Sequence, residues 1–340
     1  MNTPLKRSPA ITMLSLIALL ALTTTPLANA PLASASHTRG CNCVTATSPV
    51  GNEPHGVAVD VATNMVYVAN YFSNTTSVIS GSNNTVVATI PVGSFPYGVD
   101  VNPVTDMIYV TNTGSGTLSV ISGSNSTVMA TIPVGRGPIG VGVNPLTNMV
   151  YVAAGAVQVI SGFTNKIVDT ILLGAGANFV GVDSVTDMVY VANALNAVSV
   201  ISGATDTVTA TIPVGIAPAF IGVNSKTDTI YVANFQSNTV SVISGQTNSV
   251  VATIPVGSSP FGVGVDPKTN EVYVANEDSG NVSVISGRTN TVAATITVGN
   301  SPIGVAVNPG TGMVYVANDF SNTVSVISGA RITGRPTSGS

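Results

Sequence analysis

The chain of 340 residues has only 7% charged residues, a formal net charge of −4, 44% hydrophobic residues, no Trp and two Cys. So apolar a chain is not a disordered polyelectrolyte, and ten Lys and Arg in total leave no basic stripe to neutralise nucleic-acid phosphates. Two Cys make neither a disulfide framework nor a closed structural zinc site.

Residues 1–30 read as a secretory signal peptide. Lys6 and Arg7 form a positive n-region, Ile11 to Leu22 an apolar stretch, and Ala28-Asn29-Ala30 the small-x-small cleavage pattern. Thr23-Thr24-Thr25-Pro26 stops the apolar stretch short of the roughly 20 residues a membrane span requires. No span is therefore expected after cleavage. Removal leaves 8 basic residues against 14 acidic, a net charge of −6, and places the protein outside the cytoplasm, secreted or at the cell surface. Residues 31–43 form a leader that ends in Cys41-Asn42-Cys43, where an i,i+2 disulfide would be strained. An inter-chain link and a plain local pair both stay open.

From residue 44 the chain repeats one unit. A Tyr-Val pair recurs at Tyr67, Tyr109, Tyr151, Tyr190, Tyr231, Tyr273 and Tyr315, at spacings of 42, 42, 39, 41, 42 and 42. Around each Tyr the unit supplies four runs of four to six residues rich in Val, Ile, Thr and Tyr, bounded by turn formers such as Asn102-Pro103 and Asn308-Pro309. Four short strands in about 40–45 residues is the period of a β-propeller blade. Near-continuous apolar runs such as Val240-Ser241-Val242-Ile243 suit a blade buried on both faces. The fold class is therefore all-β, a seven-bladed β-propeller over 44–329.

The two ends predict how the ring closes. The seventh unit stops at Ser328-Gly329 without its fourth strand, and Val44 to Gly51 is an orphan copy of Val86 to Gly93. The N-terminal strand is expected to complete the last blade in a 3+1 latch, which removes a free sheet edge. Residues 330–340, rich in Gly, Ser, Thr and Pro, read as a flexible tail.

Tyr109-Val110-Thr111-Asn112 spells the signature of the YVTN β-propeller repeat family, and the other units vary it as Tyr-Val-Ala-Asn or Tyr-Val-Ala-Ala. Over 44–329 the chain resembles the secreted and surface-layer members of that family. The resemblance implies a seven-bladed propeller used for binding or surface architecture, without a particular reaction.

With strands A to D counted along each unit, the B–C and D–A loops share one end of the propeller and the A–B and C–D turns the other. The shortened spacings of 39 and 41 arise wholly in B–C loops. The same end carries His55, Tyr71, Phe72, Tyr97, Phe235, Phe261 and Phe320, together with Arg136. These residues are the expected ligand-binding set, for a protein, peptide or saccharide at the cell envelope; the alternative is that the rings plug spaces between blade tips. Glu53, Glu277, Asp278 and Asp319 would fall in one sector once blade 7 meets blade 1. That sector is a weak metal candidate or else a solvated acidic rim.

No catalytic constellation stands out. His55 is the one imidazole in the repeats, too little for a Ser-His-Asp arrangement, and no Gly cluster precedes a helix to cradle phosphate. The expectation is a binding or structural module with no enzymatic activity, no cofactor and no nucleic-acid partner. The alternative is an extracytoplasmic lactonase- or lyase-type enzyme using His55, Glu53 and Asp319 at the channel mouth. The seven repeated Tyr are expected between blades with hydrogen-bonded hydroxyls, and the repeated Asn in turn capping.

Overall fold

A computed structural model describes residues 42–329. Residues 1–30, expected as a signal peptide, most of the expected leader with Cys41, and residues 330–340 lie outside the described residues. Seven antiparallel four-stranded sheets follow one another around a ring, and no helix occurs among the described residues. In blade 1 the strands are Pro54–Asp60 (A), Met65–Asn70 (B), Thr75–Ser80 (C) and Thr85–Pro91 (D). Blades 2 to 6 repeat this over 96–133, 141–171, 177–213, 218–255 and 260–297. Blade 7 supplies Pro302–Asn308, Met313–Asn318 and Thr323–Ser328, and Cys43–Pro49 from the other end of the chain is its fourth strand.

The latch reproduces the register of an ordinary D strand. Cys43 pairs with Ser328 and Pro49 with Thr323, as Thr85 pairs with Ser80 and Pro91 with Thr75. Both strands also bulge at the corresponding place, beside Thr45 in the latch and Val87 in blade 1. The expected 3+1 closure is present, and Cys43 is disulfide-bonded.

A strands line the axis and pack on the A strands of neighbouring blades. B and C strands are buried almost throughout, whereas D strands leave residues such as Val87 and Val251 exposed. All seven repeated Tyr are at most 1% exposed. Their rings sit between blades: Tyr67 packs with Val99, Ile108 and Val110 of blade 2, and Tyr273 with Val305, Val314 and Val316 of blade 7. The expectation for their hydroxyls holds only in part. Tyr273 donates to Glu271 Oε2 at 2.9 Å, but the hydroxyls of Tyr109, Tyr151 and Tyr315 are buried without a partner. The reason is local: Glu271 stands where the other blades have Met or Thr, so only blade 6 offers a carboxylate there.

The repeated Asn does cap turns. Asn70 donates to Thr75 Oγ1 and Ser77 Oγ, while its Oδ1 accepts the Gly51 N–H of the D–A loop. Asn234 and Asn318 make the same three bonds in blades 5 and 7.

Candidate functional site

Each D–A loop is bolted to the B–C loop beside it, which confirms that they share one end. The first B–C residue donates its N–H to a D–A carbonyl: Tyr71 to Glu53, Thr113 to Phe95, Phe235 to Ala217, Glu277 to Ser259 and Asp319 to Ser301. Asn322 of blade 7 closes the seam between the chain ends by accepting the Glu53 N–H on Oδ1 at 2.9 Å and the Val50 N–H on its carbonyl. The loop residues accepting these bonds adopt left-handed backbone, with φ of 49° at Glu53 and 55° at Phe95. The bolts hold that conformation in non-glycine residues, which rarely adopt it unaided.

Aromatic rings close the channel at this end. Tyr97 of blade 2 meets Phe179 of blade 4 with centroids 6.3 Å apart, and Phe179 meets Phe261 of blade 6 at 5.5 Å. These blades are not neighbours, so the contacts cross the axis. Phe220 joins at 4.5 Å from Phe179, and Phe235 packs edge-on against Phe261. Tyr97 and Phe261 are thus half-buried members of a packed floor. Phe179 and Phe220, absent from the expected set, complete it. They occupy the column that holds Gly56, Gly98, Gly140, Gly262 and Gly304 in the other blades. Those glycines are needed because a Cβ there would run into the next blade; at Gly262 it would strike the Ile303 carbonyl oxygen.

Over blades 1 and 2 the rings stay open to solvent. Tyr71 stacks on Phe95 at 5.0 Å, and Phe72 packs edge-on against both. Phe72 is 54% exposed and Phe95 38%. Phe95 was not expected from the sequence, although its place in Ser94-Phe95-Pro96 of a D–A loop is a usable signal. Phe320, 70% exposed on blade 7, makes no ring contact among the described residues. Arg136 is exposed between blades 2 and 3, in a surface depression with Thr113, Ser115 and Pro133, and forms no ion pair among the described residues.

The acidic sector sorts into two parts. Asp278 is exposed and accepts a hydrogen bond from Ser259. Glu53, His55 and Asp319 converge instead, one ligating atom from each lying within 4.8 Å of the others. The imidazole of His55 is gripped between Tyr71, stacked at 4.7 Å, and Tyr97, edge-on at 4.6 Å. Its Nε2 stands 3.7 Å from Asp319 Oδ1, beyond hydrogen-bond length. Burial lowers the His55 pKa to about 4, so the ring is neutral near pH 7. Burial, then the charges of Glu53 and Glu277, push the Asp319 carboxyl up to about 7. Both Asp319 Oδ1 and His55 Nδ1 are buried without a hydrogen-bond partner. Glu277 belongs to the same electrostatic neighbourhood and raises the Tyr97 hydroxyl pKa as well, after burial.

No family model matches the sequence, so the YVTN resemblance rests on the repeated motifs themselves. No curated protein matches it either. Among solved structures, the chain is similar in fold to the Kuenenia stuttgartiensis hydrazine synthase, with 19% identity and a TM-score of 0.74 over 82% of this chain and 96% of the other. At that identity the likeness shows the propeller fold alone.

Proposed function

We propose that this propeller is a secreted or cell-surface binding module, and that its B–C/D–A end is the working face over blades 7, 1 and 2. One observation carries the reading: the aromatic floor closes the channel, yet Phe72, Phe95 and Phe320 remain exposed beside it. A ligand therefore docks on the end face rather than entering the axis. Large apolar rings left open to water on a protein that buries its seven repeated Tyr completely mark an interaction surface. The negative rim of Glu53, Glu277 and Asp278 favours a partner segment of positive charge, and the signal-like residues 1–30 support a partner at the cell envelope. The described residues contain no helix long and apolar enough to cross a membrane.

The test is capture of cell-envelope polypeptides by the purified protein, compared with a Phe72→Ser/Phe95→Ser/Phe320→Ser variant whose circular dichroism matches the parent. The parent is expected to retain a basic partner that the variant releases and that salt elutes. Equal retention by both proteins overturns the assignment of the face.

A further inference from the structure

We propose that Glu53, His55 and Asp319 form a site for a divalent transition-metal ion of the zinc class, placed across the seam where the chain ends meet. The proposal does not depend on the binding-module reading: Glu53 alone is shared with the rim of that reading, His55 and Asp319 are not, and the ligand is a different one.

Three side chains present two carboxylates and one imidazole nitrogen toward one point, all within 4.8 Å. Two ligands about 2.0–2.1 Å from an ion at a tetrahedral angle lie roughly 3.4 Å apart. His55 Nε2 and Asp319 Oδ1, at 3.7 Å, are too far for a hydrogen bond and need only a small contraction to share an ion. Asp319 is 5% exposed, and its Oδ1 faces the imidazole with no donor to satisfy it. An unpaired buried carboxylate oxygen is costly, and a cation at that point would satisfy it together with the Nε2 lone pair. Nitrogen beside carboxylate oxygen suits zinc-class ions, whereas calcium needs six to eight oxygens. Three protein ligands leave a further position of a tetrahedral ion open.

The fold prepares the set from both chain ends. Glu53 lies in the loop that follows the latch strand, His55 on the first strand of blade 1, and Asp319 in the B–C loop of blade 7. The Tyr71 and Tyr97 rings fix the plane of the imidazole, and the hydrogen bond that the Glu53 N–H donates to Asn322 Oδ1 fixes the loop. A bound ion would therefore tie blade 7 to blade 1 and stabilise ring closure, because an ion held only by the closed ring adds its binding free energy to folding.

The experiment uses the full chain, stripped with a chelator and titrated with ZnCl2 by calorimetry. CaCl2 serves as the comparison ion, and thermal unfolding is followed with and without Zn2+. Uptake of one Zn2+ per chain, no comparable Ca2+ uptake and a raised Tm are expected. Co2+ should give visible d–d absorption typical of nitrogen and oxygen ligands. Asp319→Asn keeps the shape of the buried group, and Glu53→Gln lies on a loop where folding is little affected. Each should weaken Zn2+ by more than the about 10–100-fold lost with an outer-shell partner. Absence of saturable Zn2+ uptake by the parent overturns the site, as does uptake unchanged in a folded variant of either kind. Tighter binding of Ca2+ than Zn2+ overturns the assigned ion class.

Discussion

Asp60→Asn is expected to stabilise the protein near neutral pH. The end opposite the candidate site carries one side-chain pair at six of the seven blade junctions, from the last residue of one A strand to the last residue of the next A–B turn; between blades 6 and 7 Gly312 stands where the second side chain would be. In four junctions an Asn amide donates across: Asn102 to Asn148, Asn144 to Asp187, Asn224 to Asn270 and Asn308 to Asn64, at 2.7–2.8 Å. Between blades 1 and 2 the same places hold Asp60 and Asp106, and Asp60 Oδ2 and Asp106 Oδ1 are buried without partners. Asparagine at 60 restores the missing donor. A hydrogen bond to a charged group contributes about 1.5–3 kcal/mol, and partial solvent access at Asp106 reduces this to about 1–1.5 kcal/mol. The pH dependence gives the sharper check. Burial first, then the facing Asp60, raises the Asp106 pKa above its ordinary 3.8. A group raised in the folded state contributes its stability below the unfolded value and loses it as pH rises through the folded one. Protonation of Asp106 as pH falls supplies the donor that the amide would supply, so the gain should be smaller at pH 4 than at pH 7.5. Urea unfolding of parent and variant at both pH values measures it. A variant less stable at pH 7.5, or a gain equal at both values, refutes the reasoning.

Asp100, wedged between blades 2 and 3 where other blades have Ala or Gly, has its pKa raised to about 6 by burial, against two backbone N–H donors, Val101 and Val143. Its contribution is full below pH 3.8 and lost as pH rises through about 6; Asp100→Asn should flatten that part of the stability–pH curve in urea titrations. Tyr109→Phe removes a buried hydroxyl that has no partner and should leave stability unchanged or raise it by up to about 1 kcal/mol, whereas Tyr273→Phe strips Glu271 of its buried donor and should cost about 1–3 kcal/mol. Gly262→Ala drives a Cβ into the Ile303 carbonyl of the next blade and should cost about 3 kcal/mol or more, read as a lowered urea midpoint; an unchanged midpoint would show that the A strands separate easily.

Periodicity carried the architecture because every blade solves the same packing problem with the same residues. Seven Tyr-Val pairs count the blades, and an orphan strand copy at one end with a missing strand at the other implies the latch down to its bulge. The same uniformity hides what differs between blades. The shared repeat pattern does not say which Tyr hydroxyl finds an acceptor, since that depends on one departure from it, Glu271 two residues before Tyr273. The channel floor is another exception: Phe179 and Phe220 replace the column's glycine, a visible substitution whose meaning requires knowing that the column faces the axis. Arg136 shows the opposite failure, since sharing an end of the propeller did not bring it to the acidic sector or the rings.

The candidate metal site follows the same logic at a larger scale. His55 and Asp319 are separated by nearly the whole repeat array, and no local motif links them. They meet only because the latch strand completes blade 7 and sets blade 1 beside it. In a ring of near-identical units blade 7 is the one blade whose C strand is not joined by a turn to the strand beside it, so its junction with the latch strand is held by pairing alone and is where opening would begin. Glu53, His55 and Asp319 sit at that junction, while the corresponding positions in blades 2 and 1 are Phe95, Tyr97 and Tyr71. Ligating groups thus replace aromatic ones at the place where a cross-link between loops would do most to hold the ring closed.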